Sequence, residues 1–371
     1  MRTQISQTSF VGGSRRLDTL QLMRAVAATM VVALHAHANW KFSLFPLPTE
    51  KLGAGVDLFF VISGFVIVYA SQSNFTKSGG RSAFLLRRLI RIVPLYWFAL
   101  TLRLVALGAA AILGIKSFPS LESILTSYFF IPYDSMGYGD RYPFPILDLG
   151  WTLNYEMFFY AIFALFSVLP MERAVLYVAA ALVSGVLVGL FFNVALPFSF
   201  WLQPIVLEFV GGMFLAVAYL RGVSLNPVIG AAVGLCGLAV WSLIDLRIFE
   251  SYGNPGFYSF PRLSVLGGGA FLLMAAATLT REIGLPRFAR PISALGDSSY
   301  ALYLLHPFIF LVLKGILNVV EIQQQWSSAI YISVIGITVT TAHLFHLFVE
   351  KPTTEWLRSQ FKTRRAKTVT S

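Results

Sequence analysis

The stretch "RAVAATMVVALHAH", residues 24–37, sets an arginine and two histidines inside an otherwise apolar run. Arg24 and His35 lie eleven positions apart. At about 3.6 residues per turn that is nearly a whole number of turns, so both side chains share one helix face, roughly 16 Å apart along the axis. His37 points nearly the opposite way. Ionisable groups inside a bilayer are costly and mark a function by default. Imidazole is the side chain most easily poised near neutral pH, which makes His35 a candidate for proton transfer or for covalent carriage of a group. The bland alternative is that Arg24 snorkels to an interface and His35 bonds a neighbouring helix.

Further ionisable groups recur along the chain. Asp57 opens the next apolar run in "GAGVDLFF", on the side where the first run ends. Arg88 and Arg91, with Arg87 beside them, stand three apart in "RSAFLLRRLIRIVP". In "WTLNYEMFFY", Thr152, Glu156 and Tyr160 fall at i, i+4 and i+8 and make a polar stripe. Tyr303 and His306 share one face of a later apolar run. His343, His346 and Glu350 follow an i, i+3, i+7 pattern that could in principle hold a metal, but no further ligands are evident. Ser63 beside Gly64 reads as a small pair for close helix packing, as do the glycines at 211–212 and 267–269.

These groups need a scaffold, and the composition specifies it. Of 371 residues, 57% are hydrophobic and 12% charged, with mean hydropathy +0.72; a water-soluble domain carries about a quarter charged residues. Ten apolar runs read as spans, at 18–37, 54–71, 92–114, 151–169, 173–191, 200–220, 226–243, 263–280, 297–318 and 327–349. The Gly, Pro and aromatic pattern suits helices rather than barrel strands. The expectation is an all-α polytopic membrane bundle of about ten transmembrane helices. A segment 1–17 precedes it, the bundle covers 18–350, and a basic tail follows at 351–371. The longest connection, 115–150, carries "LESILTSYFFI", which reads as lying on the membrane surface.

Charge sets the orientation. Nineteen of the 28 Lys and Arg fall on connections placed on the side of the two ends, and seven on the other side. By the positive-inside rule both termini are cytoplasmic. The net charge of +11 is thereby a topology signal, since no aromatic-interleaved basic surface for nucleic acid is present. The N-terminal residues do not read as a cleaved signal peptide, so the first span is expected to stay as an anchor. Cys236, the one cysteine, excludes a disulfide framework and reads as a small packing residue.

Six phrases in order make the chain recognisable: Arg24 with His35, then "GVDLFFVISGF", "RRLIRIVPLYW", "WTLNYEMFFY", "SSYALYLLHP" and "FVEKP". Together they resemble the acyltransferase-3 family of integral membrane proteins, and "RIVPLYW" and "WTLNYEMFFY" look most like the branch that O-acetylates bacterial exopolysaccharide. The resemblance implies transfer of an acyl group, usually acetyl from cytoplasmic acetyl-CoA, to a carbohydrate hydroxyl at or beyond the outer face of the bacterial inner membrane. It places the essential histidine at His35, as general base or transient acyl carrier, and associates the Arg88/Arg91 pair with the acyl donor; guanidinium geometry suits coenzyme A phosphates. Without it, those arginines would be assigned to anionic lipid.

In that chemistry Asp57 could fix the tautomer of His35 or simply favour a helix N-terminus. Glu156 would bind the acceptor sugar or shuttle a proton, and Trp151 would stack on a sugar or join an interfacial belt. Arg24 and His306 would line the thioester pathway, His306 alternatively tying helices together. Expected partners are the bilayer, a coenzyme A thioester, a carbohydrate or lipid-linked oligosaccharide, and a polysaccharide-synthesis machinery; metal and nucleic acid are not expected. A transporter or flippase for a glycan intermediate is the competing reading, against which stands the lack of visible internal repeats.

Overall fold

In lipid the backbone has to satisfy its own N–H and C=O groups within each segment, so long apolar runs fold as helices. The computed structural model describes residues 12–40, 49–135, 143–244, 259–280, 289–317 and 327–369. Their helices are α1 Gly12–Trp40, α2 Ala54–Tyr69, α3 Gly80–Ile112, α4 Leu121–Tyr128, α5 Trp151–Phe166, α6 Met171–Phe191, α7 Phe198–Trp201, α8 Leu207–Leu220, α9 Pro227–Leu243, α10 Phe260–Arg262, α11 Gly268–Leu279, α12 Ala289–Leu295, α13 Ser299–Leu317, α14 Ser327–Phe345 and α15 Lys351–Val369. Among the described residues there is no strand, only one isolated bridge between Leu225 and Thr280. The chain is a polytopic helical membrane protein.

Among the described residues seven helices are long and apolar enough to cross a membrane: Asp18–Trp40, Lys51–Tyr69, Gly80–Ile112, Met171–Phe191, Phe260–Leu279, Ser299–Leu317 and Ser328–Phe361. Shorter helices stand at the other three expected positions, at Trp151–Phe166, Pro204–Leu220 and Pro227–Leu243. Several boundaries differ from the sequence expectation. The basic stretch before residue 92 is not a lead-in but the first turns of α3, which runs 33 residues with Pro94 inside it. Near residue 203 the expected span 200–220 breaks into α7, a short turn at Pro204–Val206 and α8, because Pro204 can donate no backbone hydrogen bond. Beyond residue 349 the last span does not stop; a π-turn at His346–Glu350 carries α14 directly into α15.

Residues 1–11, and Arg2, Lys41, Arg141, Arg247, Arg281 and Arg287 from the charge count, lie outside the described residues. Within the 115–150 connection, α4 is capped by Ser120 and anchored to α3, where Tyr96 Oη donates to the Ser127 carbonyl at 3.0 Å and Trp97 Nε1 to that of Tyr128 at 3.0 Å.

Small residues and aromatics fix the centre. A Cβ on Gly64 would collide with the Phe209 carbonyl, and one on Gly212 with the Val61 carbonyl; the two glycines let α2 and α8 meet backbone to backbone. Beside that contact Phe209 stacks on Phe60 (ring centroids 4.7 Å apart) and on Phe159 (4.4 Å). Gly267 packs on Glu208 and Gly269 on the Trp241 indole, whereas Gly268 has open space. Cys236 is exposed on α9 rather than packed, a correction to its expected role.

Candidate active site

A cavity lies between α1, α2, α3, α5 and α13. Four charged side chains from three segments of the sequence converge on it: Arg24 of α1, Arg88 and Arg91 of α3, and Glu156 of α5. The helical period explains the lining. Val56, Phe59, Ser63 and Val66 recur every three or four residues on α2, and Thr152, Glu156 and Tyr160 every four on α5.

Glu156 is held at both oxygens. Ser63 Oγ donates to Oε1 at 2.7 Å and Tyr160 Oη to Oε2 at 2.7 Å. Arg88 lies over the rings of Phe84 (5.7 Å) and Tyr160 (5.8 Å), a stacking arrangement that suits guanidinium. Arg24 does not snorkel away from the bundle. Its guanidinium donates to Ser299 Oγ at 2.9 Å and to Gln21 Oε1 at 3.2 Å; Gln21 in turn donates to Asp297 at 2.7 Å. Three guanidinium groups against one carboxylate leave the cavity with an excess of positive charge.

Phe59, Thr152 and Tyr303 form a further part of the lining. Tyr303 Oη lies 2.9 Å from Thr152 Oγ1 and donates to the Leu149 carbonyl at 3.0 Å. Behind Tyr303 lies a pair of imidazoles: the His306 ring is 6.4 Å from that of Tyr303 and 4.9 Å from that of His35. Neither histidine is in the cavity lining. The expected residues thus fall into two adjacent groups, the arginines with Glu156 and the histidine pair, with Tyr303 and Phe59 between them.

Asp57 is the expectation the structure corrects. It is completely buried, and both its oxygens are taken by Arg262, with Nη2–Oδ2 at 2.7 Å and Nε–Oδ1 at 3.2 Å. His35 Nδ1 instead meets the carbonyl of Val31 at 2.9 Å. The physical reason is that a π-turn at Leu263–Gly267 extends the helix around Arg262, so this arginine, counted as a loop charge, reaches into the bundle and neutralises the acid. Glu208, 3% exposed, joins the same cluster.

Three other expectations are located. Trp151 is buried against Phe60 and Tyr155. His343 Nδ1 lies 3.1 Å from Ser298 Oγ, and His346 pairs with Glu350 at 2.7 Å; among the described residues no three His, Cys, Asp or Glu gather in a metal-like group.

Sequence reasoning missed Ser63, Ser299 and Tyr300 in the cavity, and Glu208 and Arg262 around Asp57. Signals existed for some of them. Ser63 shares the face of Val56 and Phe59, Ser299 is four residues before Tyr303, and Glu208 is an acid within an apolar run.

With this geometry in view, similarity to known proteins becomes informative. The family profile described as an acyltransferase domain, acyltransferase-3, matches residues 17–346. The chain belongs to the acyltransferase-3 family. It is 36% identical over 260 residues to the exopolysaccharide production protein ExoZ of Rhizobium meliloti (strain 1021), covering 69% of this chain and 75% of that protein. It is also 24% identical over 368 residues to the O-acetyltransferase OatA of Staphylococcus aureus (strain NCTC 8325 / PS 47), covering 91% of this chain and 57% of OatA. No solved structure matches the chain. This acyltransferase-3 member is therefore a membrane acyltransferase, and its matched region contains every cavity-lining side chain.

Proposed function

We propose that the chain is an O-acetyltransferase of the bacterial inner membrane that moves an acetyl group from cytoplasmic acetyl-CoA to a hydroxyl of an exopolysaccharide or related cell-surface glycan. The observation that carries this is the convergence of Arg24, Arg88 and Arg91 on one intramembrane cavity, one of whose lining residues, Tyr303, contacts the paired histidines through His306. The names of its relatives, an exopolysaccharide production protein and an O-acetyltransferase, agree with the acceptor and the group transferred.

In this reading the arginines hold the anionic part of the donor, because guanidinium binds phosphate oxygens through paired, charge-assisted hydrogen bonds. The acyl-bearing arm follows the cavity towards Thr152 and Tyr303. His35 takes the proton of the attacking sugar hydroxyl as general base. The new C–O bond forms as the C–S bond breaks, and the thiolate leaves with a proton as free coenzyme A. Glu156, braced by Ser63 and Tyr160, balances part of the arginine charge and offers acceptor oxygens to substrate.

The test uses the full-length protein in detergent with acetyl-CoA and an oligosaccharide from the host's own polysaccharide. Release of coenzyme A with acetylation of the sugar, lost in His35→Ala, is the expected result. Sugar binding with no coenzyme A release would refute the enzyme and favour a glycan transporter.

A further inference from the structure

His35 and His306 approach from α1 and α13, and each ring is tied to its own helix in the same way. His35 Nδ1 is 2.9 Å from the carbonyl of Val31, and His306 Nδ1 is 3.2 Å from that of Leu302, each four residues back. A carbonyl oxygen only accepts, so in both rings Nδ1 carries the hydrogen and Nε2 is left with its lone pair. His306 is completely buried, and its Nε2 has no hydrogen-bond partner among the described residues. An unsatisfied polar atom at such depth costs on the order of 1–3 kcal/mol and calls for an explanation.

The geometry supplies one. Two neutral imidazoles that both present lone pairs cannot hydrogen-bond to each other. Add one proton, and an N–H···N bond forms between them. With ring centroids 4.9 Å apart and the rings tilted by 41°, the two imidazoles are close enough for an N–H···N bond to span the gap once the proton arrives. The orphaned atom is the acceptor that protonated His35 needs.

We propose that His306 is a positioning residue for His35: the two Nε2 atoms share the single proton that His35 removes from the acceptor hydroxyl, and return it to the leaving thiolate. The pair begins and ends neutral. In between it carries one positive charge spread over two rings, which a lone imidazole in an apolar bundle would hold at greater cost. This rests on the assignment of His35 as base.

Other ionisable groups on the packed helices are engaged elsewhere. Tyr303 on α13 bonds Thr152 and Leu149, Tyr331 on α14 donates to Ala33, Asp57 on α2 pairs with Arg262, and Arg24 on α1 bonds Ser299 and Gln21. Arg88 and Arg91 of α3 face the cavity, with Tyr303 between it and the pair. His343 of α14 meets Ser298, and His37 of α1 also has a partner.

The test is nitrogen-15 NMR of the full-length protein in detergent with labelled histidine; five imidazoles are present, and single replacements assign them. The expected wild-type result is two rings titrating as a coupled pair. In His306→Phe, which keeps the volume and removes the acceptor, His35 should protonate only at a pH about one unit lower, a tenfold change. The acidic limb of the transfer rate should move with it, and the rate at its optimum should fall by ~10-fold or more. His306→Gln, whose amide oxygen can accept from His35, should recover part of both. Independent titration of the two rings, or an unchanged His35 titration in folded His306→Phe, would overturn the proposal even if His35→Ala is inactive. Conversely, coupled titration together with an active His35→Ala would refute the base assignment and leave the paired histidines standing.

Discussion

Replacing Arg262 with methionine strips the partner from a carboxylate that has no contact with solvent. Asp57 is 0% exposed and the Arg262 side chain 12%, and the pair is joined by two hydrogen bonds at 2.7 and 3.2 Å. Taking one partner from a buried pair leaves an uncompensated charge, which costs about 3–5 kcal/mol. For a chain of this size that corresponds to a melting midpoint lower by ~5 °C. Removing both charges is a different perturbation. With Asp57→Leu and Arg262→Met together, shape is roughly retained and neither member of the pair is left buried without the other, so the double variant should regain most of the loss.

The assay is thermal unfolding of the four proteins of the cycle in one detergent, with acyl transfer measured below the lowest midpoint. A single variant as stable as wild type would refute the claim that this pair braces α2 against the Arg262 helix. Activity then separates two roles for Asp57. If it only braces the bundle, the stabilised double variant transfers acyl groups. If the carboxylate acts on His35 through some rearrangement, stability returns without activity.

Two further outcomes follow from the packing and the cavity. Arg88→Ala should raise KM for the acyl donor by about 10- to 100-fold, the range of one to two charged hydrogen bonds. Arg88→Lys should recover only part of this, because an ammonium cannot make the paired contact; an unchanged KM in steady-state measurements of coenzyme A release would remove Arg88 from the donor site. Gly212→Val drives a side chain into the Val61 carbonyl and should cost about 1–3 kcal/mol or more, read as a lower unfolding midpoint, whereas Gly268→Ala, which meets nothing within 4 Å, should leave the midpoint unchanged.

Much was legible in the sequence because helical periodicity is local. The shared face of Thr152, Glu156 and Tyr160 follows from spacing alone, and all three line the cavity. So does the depth of His306 within its apolar run. Pairings across helices were not legible, since the choice of partner depends on how α2, α5, α8 and α13 pack. Ser63 was read as a packing residue; its neighbour Gly64 does the packing, while Ser63 turns to Glu156 on a helix 93 residues away. Asp57 was matched to His35 by proximity along the bundle axis, yet an arginine 205 residues away holds it.

The amino-acid sequence by itself determined that this chain lives in a membrane as a helical bundle and belongs among the acyltransferases. Lipid leaves an apolar chain no other way to satisfy its backbone, and the motifs follow in family order. The tertiary structure alone decided which buried charges meet. Contacts inside a low-dielectric bundle are set by a few ångströms of side-chain placement: Arg262 rather than His35 for Asp57, the His35 and His306 rings side by side, and one cavity for three arginines.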